Sequence, residues 1–275
     1  MSCLIIAEIG ENHFGRMPLA KRMIEEAAIA GADMVKFQSY RGRDFKDDDP
    51  EKEWFCQVEL SDKRHFELKT FAERVGVEFL SSPFTLERAR FLVETLGLKK
   101  IKIASGVMMK FDILDYLNTA HIEELFISTG MTRVSEIRES LSHLKNIQNI
   151  NILHCTTQYP CKDEDANLLA LRALKKEFRD YQIGYSDHTI GIDACAVAVG
   201  FGARIIEKHF TLNKNWREGT DHVLSATPGE FKEMIERIKR IKRIKRIEVM
   251  IGSGIKEPTS SEKEILGFVR KRFIG

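Results

Sequence analysis

Short apolar segments alternate with longer amphipathic segments along most of the chain. Eight segments have the apolar character of buried strands, at residues 3–9, 34–38, 78–81, 100–103, 124–128, 150–155, 182–186 and 204–209. Between them, apolar residues recur at helical spacing, for example at residues 20–30, 66–75, 86–96, 134–144, 168–178 and 192–199. This alternation predicts an α/β fold, and eight such units favour a single-domain (β/α)8 TIM barrel over an open sheet.

Turn and capping residues agree with this division. Gly31, Gly76 and Gly97 each precede a predicted strand, at the point where a helix has to end. The segment from Thr227 to Glu230 has the pattern of a capping box with proline in its first turn, which predicts the start of a last helix. Residues 40–60 are polar and turn-rich, and they predict a long loop, a candidate lid, on the face where the strands end.

The triplet Ile-Lys-Arg repeats over residues 238–246. Each three-residue step on a helix falls about 60° short of a full turn, so the isoleucines wind around the helix axis. Two interpretations remain: a last helix lengthened by solvated basic residues, or a basic surface for an anionic partner. We place the barrel at residues 1–256 and treat residues 257–275 as a C-terminal tail.

Composition narrows the class of protein. The chain is 43% hydrophobic and 31% charged, which is typical of a globular protein. Its formal net charge of +2 argues neither for nor against an anionic partner, and we expect no nucleic-acid partner. Its five cysteines form no CxxC pair and are odd in number, which predicts reduced thiols and a cytoplasmic location. No apolar run approaches the roughly 20 residues that span a bilayer, and we expect no membrane partner.

Polar residues concentrate where the predicted strands end. They include Glu8, Asn12, Lys36, Gln38, Ser81, Ser82, Lys102, Ser105, Ser128, Thr129, His154, Thr156, Thr157, Ser186, His188, Glu207 and His209. In a barrel these ends meet at one mouth, where active sites are built. Since buried strands normally exclude unpaired charges, packing alone does not account for so many exceptions at one end.

Two kinds of chemistry are suggested at this mouth. His188 and His209 end neighbouring strands, and with carboxylates from among Glu8, Asp187, Glu207 and Asp221 they could hold a divalent ion such as Mn²⁺. Two lysines with several serines could bind a small anion carrying phosphate and carboxylate. A structural interpretation stays open for each residue, because strand-end histidines and buried lysines are often simply paired within the core.

Longer motifs carry a specific resemblance. In chain order they are residues 6–10 (IAEIG), 35–38 (VKFQ), 81–84 (SSPF), 102–106 (KIASG), 128–131 (STGM), 154–160 (HCTTQYP), 184–189 (GYSDHT), 207–211 (EKHFT), 221–222 (DH) and 225–228 (SATP). Together they resemble the sialic acid synthase family, which includes the N-acetylneuraminate, legionaminate, pseudaminate and spore-coat polysaccharide synthases. The resemblance runs from about residue 4 to residue 260.

The resemblance implies an enzyme that joins phosphoenolpyruvate to an N-acylhexosamine aldehyde, giving a nine-carbon 2-keto-3-deoxy acid and phosphate. It implies that His188 and His209 are the metal ligands, with Mn²⁺ preferred over Mg²⁺ or Co²⁺, and that Glu8 handles the attacking water. It implies phosphoenolpyruvate contacts at Lys36, Lys102, Ser105, Ser128, Thr157 and Ser186. It implies contacts to the sugar at Gln38, Ser82, Tyr159 and Asp221.

Three departures from the family pattern are visible. Val107 stands where an acidic or polar residue is common, and Thr157 replaces an asparagine of the neuraminate branch. Family members usually continue beyond the positions of Lys256 and Arg270 into an antifreeze-like domain, which reaches across a homodimer to the substrate. We therefore expect a homodimer, with a separate antifreeze-like protein as a further candidate partner. Two alternatives stay open: a non-catalytic sugar-binding barrel, and a Schiff-base aldolase using Lys102 or Lys36.

Overall fold

The computed structural model describes residues 3–216, 221–243 and 257–265. Eight parallel strands form one sheet: β1 (Leu4–Glu8), β2 (Met34–Ser39), β3 (Glu78–Pro83), β4 (Lys100–Ile103), β5 (Glu124–Ser128), β6 (Ile150–Cys155), β7 (Gln182–Asp187) and β8 (Ile205–His209). Their order is β3-β2-β1-β8-β7-β6-β5-β4, and the two end strands lie against each other. The predicted (β/α)8 TIM barrel is confirmed.

Helices surround the sheet: α1 (Met17–Ala30), α2 (Lys52–Val58), α3 (Asp62–Val75), α4 (Leu86–Arg90), α5 (Phe111–Thr119), α6 (Val134–Ser142), α7 (Ala170–Glu177), α8 (Asp193–Gly200) and α9 (Pro228–Arg243). Gly31 ends α1 with φ 98°, in the left-handed region, and its N–H bonds back to the carbonyls of Ala27 and Ala28. The predicted start of α9 is confirmed, since Glu230 accepts from the N–H of Thr227 at 2.8 Å.

The segment of residues 40–60 is more ordered than the predicted loop. It contains the short helix α2 and one 3-10 turn, Gly42–Asp44. Tyr40 is buried and packs edge-on against Phe45, Phe55 and Phe84. We name residues 40–60 the lid segment. Aromatic packing against the barrel explains its order, and polar composition alone did not reveal it.

Side chains that point into the barrel form two layers. The lower layer is apolar and comprises Ile6, Met34, Leu80, Phe126, Leu153 and Ile205. Because side chains alternate along a strand, the residues two positions later point inward as well and form the next layer towards the carboxyl ends. Those residues are Glu8, Lys36, Ser82, Ser128, Cys155 and Glu207. The apolar layer thus forms a floor under a polar one.

The chain beyond α9 is described only in part. The predicted basic repeat begins inside α9, but its last residues, 244–246, and the predicted domain boundary at 256 lie outside the described residues. Lys239 and Arg240, on the described part, are exposed. Within the described ranges, no helix combines the length and the apolar character needed to cross a bilayer.

Candidate active site

A cavity of about 430 Å³ opens at the carboxyl ends of the strands. All thirteen residues to which the family resemblance assigns a role line it: Glu8, Lys36, Gln38, Ser82, Lys102, Ser105, Ser128, Thr157, Tyr159, Ser186, His188, His209 and Asp221. They come from seven strands and the loops that follow the strands. The barrel therefore brings together residues that are up to 213 positions apart in the sequence.

Two lysines and two glutamates form the buried centre of this cavity. Nζ of Lys36 lies 3.4 Å from Oε2 of Glu8 and 3.0 Å from Oε2 of Glu207. Nζ of Lys102 lies 3.6 Å from Oε1 of Glu207 and donates to the hydroxyl of Ser128 at 2.7 Å. Each of the four ionisable side chains is at most 5% exposed. Water screens such charges little, so their mutual attraction is strong.

Burial sets the protonation of these groups. Burial raises the pKa of Glu8 to about 7 although Lys36 opposes it, so this carboxyl can gain or lose a proton near neutral pH. Burial lowers the pKa of Lys102 to about 8, against the attraction of Glu207. For Glu207, the two lysines outweigh burial, and its pKa falls to about 2. Glu207 is therefore the permanent counter-ion of the centre.

A glycine forms one wall of the anion-binding side. A Cβ atom on Gly130 would lie 2.0 Å from Oγ1 of Thr157 and 2.7 Å from Oγ of Ser105. Real Cβ atoms do not approach so closely, so glycine, which has no Cβ atom, is the residue that fits here. Oγ1 of Thr157 is buried and has no hydrogen-bond partner among the residues that the structure describes. An unsatisfied buried hydroxyl beside two lysines suits a phosphate oxygen, and we name Lys36, Lys102, Ser105, Ser128, Thr157 and Ser186 the anion cluster.

The two histidines meet beside the anion cluster. The ring centres of His188 and His209 are 5.3 Å apart. Nδ1 of His188 lies 2.7 Å from the carbonyl oxygen of Thr156, which leaves its Nε2 for another partner. Tyr159 packs on the His188 ring at 4.1 Å between centres, and Asp221 Oδ2 lies 3.5 Å from Nδ1 of His209. The imidazole pair therefore has a fixed geometry.

These donors fit a divalent ion with an incomplete set of protein ligands. Nδ1 of His209 is buried, and within the described ranges it makes no hydrogen bond, since Oδ2 of Asp221 at 3.5 Å is an ion-pair contact only. Burial, followed by the nearby His188, lowers the pKa of His209 well below its usual value, which keeps the ring neutral as a ligand must be. Within the described part of the chain, no three His, Cys, Asp or Glu residues cluster as a metal site. Two imidazoles would thus leave positions for water or substrate.

The outer part of the cavity carries carboxyl and aromatic groups. Glu11, which sequence reasoning missed, lines the cavity and accepts from Nε2 of Gln38 at 3.1 Å. Oγ of Ser82 is buried and, in the described part of the chain, has no hydrogen-bond partner. The lid segment adds Trp54 and Phe55 to the rim. Hydrogen-bonding groups beside apolar rings suit an acylated sugar.

Five residues considered at the strand ends do not line the cavity: Ser81, Thr129, His154, Thr156 and Asp187. Asp187 was a candidate metal carboxylate, but its side chain lies on the outer face of β7 and pairs with Lys208 at 2.6 Å. His154 also turns outward, and its Nε2 lies 2.9 Å from the carbonyl oxygen of Ala166. Both sit one position out of phase with the inward-pointing residues. Glu207, two positions before His209, is in phase and is the carboxylate that reaches the lysines.

Comparison with known proteins assigns the family. The NeuB family model matches residues 23–250. The N,N'-diacetyllegionaminic acid synthase of Campylobacter jejuni is 40% identical, covering 98% of this chain and 84% of that protein. Human N-acetylneuraminate-9-phosphate synthase is 35% identical, covering 85% of this chain and 68% of that protein.

A solved structure supports the same family assignment. The N-acetylneuraminic acid synthetase of Leptospira borgpetersenii superposes with a TM-score of 0.84 at 33% identity, covering all of this chain and 93% of that one. The similarity extends over the whole barrel, including every strand that supplies the cavity. The chain therefore belongs to the NeuB family and is an enzyme of the sialic acid synthase type.

Proposed function

We propose that the protein condenses phosphoenolpyruvate with an N-acylhexosamine aldehyde, giving a nine-carbon 2-keto-3-deoxy sugar acid and phosphate. The observation that supports this most is the placement of the anion cluster directly beside the imidazole pair, inside one cavity. One region suits the phosphate and carboxylate of phosphoenolpyruvate, and the other suits an aldehyde oxygen. We further propose a divalent ion, Mn²⁺ first, held by His188 and His209.

The anion cluster would bind phosphoenolpyruvate and receive the leaving phosphate. Lys36 and Lys102 supply positive charge in a site screened from water, and the hydroxyls of Ser105 and Thr157 supply directed donors. The enol carbon attacks the aldehyde carbon, and positive charge develops on the carbon that carries the phosphate. Water adds to this carbon. Cleavage of the bond between this carbon and the phosphate oxygen then releases phosphate and leaves the ketone. Fixed donors around the departing dianion stabilise this step.

Glu8 is the proposed proton carrier. Its pKa of about 7 lets it take the proton of the water that adds and pass one to another oxygen. A bound divalent ion would act as a Lewis acid on the aldehyde. The rings of Tyr159, Trp54 and Phe55 at the rim would limit access of other water to the reacting carbons.

The decisive test is phosphate release from phosphoenolpyruvate with a panel of N-acylated hexosamines, with products read by mass spectrometry. We expect release to require both the amino sugar and a divalent ion, and to stop in EDTA. His209→Ala should abolish release. His154→Ala is the matched control, since this buried strand-end histidine points away from the cavity, and it should retain turnover. Full activity in EDTA would contradict the metal role.

One observation favours a second candidate, a Schiff-base aldolase. The pKa of Lys102 is lowered to about 8 by burial, as a nucleophilic amine requires. The hydrogen bond from its Nζ to Ser128 and its proximity to Glu207 instead suit a charged lysine that holds an anion. Borohydride with pyruvate would trap an adduct on Lys102 in an aldolase. We expect no increase in mass.

Location and assembly stay predictions. We propose a cytoplasmic enzyme, in keeping with five free cysteines, four of them buried. We also propose a homodimer, with a separate antifreeze-like protein as a further candidate partner. Light scattering of the purified chain measures its oligomeric state. The same measurement with an added antifreeze-like domain shows whether that domain binds.

A further inference from the structure

A buried ion pair lies directly behind the two imidazoles. Asp187 on β7 and Lys208 on β8 are paired in register, and both side chains are 0% exposed. Side chains alternate along a strand, so His188 and His209, each one residue later, point into the barrel while this pair points out. The pair does not line the cavity. It belongs to the layer between the sheet and α8.

The carboxylate of Asp187 is fully engaged. Its Oδ1 accepts from the N–H and hydroxyl of Thr189, each at 2.9 Å, and from the hydroxyl of Tyr185 at 3.0 Å. Its Oδ2 accepts from Nζ of Lys208 at 2.6 Å and from the thiol of Cys195 at 3.3 Å. Lys208 also donates to the carbonyl of Thr189 at 2.6 Å. Thr189 is thereby held through its N–H, its hydroxyl and its carbonyl.

A buried ion pair is by itself weak evidence of a stabilising role. Desolvating two charges costs several kcal/mol per ion, and apolar residues of the same volume often give equal or higher stability. A fixed pair does provide geometry, because it clamps the backbone immediately after His188 and the residue immediately before His209. The N–H of Cys161 adds a third restraint by donating to the carbonyl of His188 at 2.8 Å.

We propose that Asp187 and Lys208 are positioning residues that set the separation of the imidazoles of His188 and His209. The inference rests on the proposed function, because it is that function which gives the two rings a common ligand. Neither residue touches the reacting atoms. Groups that orient metal-binding histidines typically change metal affinity by about 10- to 100-fold when removed.

The test is the double variant Asp187→Asn/Lys208→Met, which removes both charges without stranding one. We expect it to fold, and a crystal structure to show a ring separation different from 5.3 Å or disordered rings. Calorimetry with Mn²⁺ on EDTA-treated protein should show a Kd raised about 10- to 100-fold. The kcat should fall, and the KM for phosphoenolpyruvate should stay within about twofold, because the anion cluster is untouched.

The ring separation decides the outcome. An unchanged separation with both rings ordered would overturn the proposal, whatever the melting temperature. If the double variant does not fold, Thr189→Val, which removes one hydroxyl donor to Asp187, is judged by the same criterion. The matched control is Asn151→Ala, at the opposite end of the barrel, where the amide donates to Glu124 at 2.9 Å. The control should alter stability alone.

The same series separates this inference from the proposed function. Absence of phosphate release by the wild-type enzyme with every acceptor would overturn the proposed function. The comparison of ring separations would still decide the role of Asp187 and Lys208. Wild-type turnover with unchanged rings in the double variant would reject the inference alone. Lys208→Arg, which retains the charge, should keep the separation nearer to that of the wild type than the double variant does.

Discussion

At the scale of single residues, Glu207 holds the charges of the cavity together. Its carboxylate faces Lys36 and Lys102 and accepts from the hydroxyl of Ser186 at 2.8 Å. Lys36 also has Glu8 as a partner, but the pKa of about 7 leaves that carboxyl partly protonated near neutral pH. Glu207 is therefore the constant negative charge between two buried ammonium groups.

Glu207→Gln should strongly destabilise the fold, because removing one partner of a buried ion pair costs about 3–5 kcal/mol. The substitution leaves two lysines with little compensation. Thermal unfolding followed by circular dichroism measures the effect. Glu124→Gln, at the other end of the barrel and partly exposed, should shift the melting temperature far less. Equal melting temperatures for Glu207→Gln and the wild type would contradict the assignment.

Gly130→Ala tests the wall of the anion cluster. The new methyl group would displace Thr157 and Ser105, since it would lie 2.0 Å and 2.7 Å from their hydroxyl oxygens. We expect the KM for phosphoenolpyruvate to rise at least tenfold, with a much smaller change in the KM for the sugar. Gly200→Ala, on α8, meets nothing within 4 Å and serves as the control. A selective effect on the sugar would assign this wall to the other substrate.

Sequence motifs located the cavity residues but not the direction of every side chain. Polar residues at strand ends correctly identified the mouth, because charged side chains are costly to bury there unless they are paired or bind a ligand. The pattern did not separate Asp187 and His154 from their inward-pointing neighbours, since a shift of one residue along a strand exchanges the two faces. Glu11 was missed because it lies in the irregular turn after β1, beyond the strand period.

At the scale of elements, the lid segment is tied to the barrel by charges. Oδ1 of Asp62, at the start of α3, lies 2.7 Å from Nη2 of Arg41 and 2.7 Å from Nη1 of Arg88. Arg88 is 1% exposed and also donates from Nε to Ser39 at 2.9 Å. Helix α2 escaped prediction because its seven residues are too few for a clear apolar period. Trp54 on this helix packs edge-on against Phe14, which lies 40 positions earlier.

Asp62→Asn should loosen this attachment in a pH-dependent way. Burial raises the pKa of Asp62, but the hydrogen bond and charge of Arg88 outweigh it, so the net pKa lies below its usual 3.8. A lowered carboxyl pKa stabilises the fold above 3.8, and this contribution is lost as the pH falls through the native-state pKa. The difference in melting temperature between wild type and variant should therefore shrink at acid pH.

The control for that experiment lies within the lid segment itself. Asp47 pairs with Lys52 at 2.7 Å but is fully exposed, so Asp47→Asn should have little effect at any pH. Limited proteolysis of residues 40–60 should be faster in Asp62→Asn than in Asp47→Asn. Equal cleavage rates would show that aromatic packing alone holds the lid segment.

At the scale of the whole molecule, the barrel closes where β3 meets β4. These strands are the two ends of the hydrogen-bonded order, and each pairs with one neighbour through its ladder. The eight-strand count and the helical cover followed from the alternation of short and long segments. The position of the closing seam did not follow from the sequence, because strand periodicity carries no information on how completely neighbouring strands pair.

Hydrogen exchange can locate this seam. Backbone amides of β4 that face β3 should exchange faster than those of β6 and β7, each of which is paired on both sides. Mass spectrometry of exchanged peptides under native conditions measures the difference. Peptides covering α3 provide a reference of ordinary helical protection. Equal protection of β4 and β6 would mean that the seam is hydrogen-bonded in solution.

The apolar floor of the barrel has a consequence for how such an enzyme can change. Leu80, Phe126 and Leu153 lie one layer beneath Ser82, Ser128 and Cys155 and donate no hydrogen bond to them. Shortening one of these aliphatic or aromatic groups would deepen the chamber while every ionisable group above kept its place. Different residues thus set the depth of the chamber and its reactive chemistry. The size of the bound substrate can therefore change through substitutions that leave the reacting groups in place.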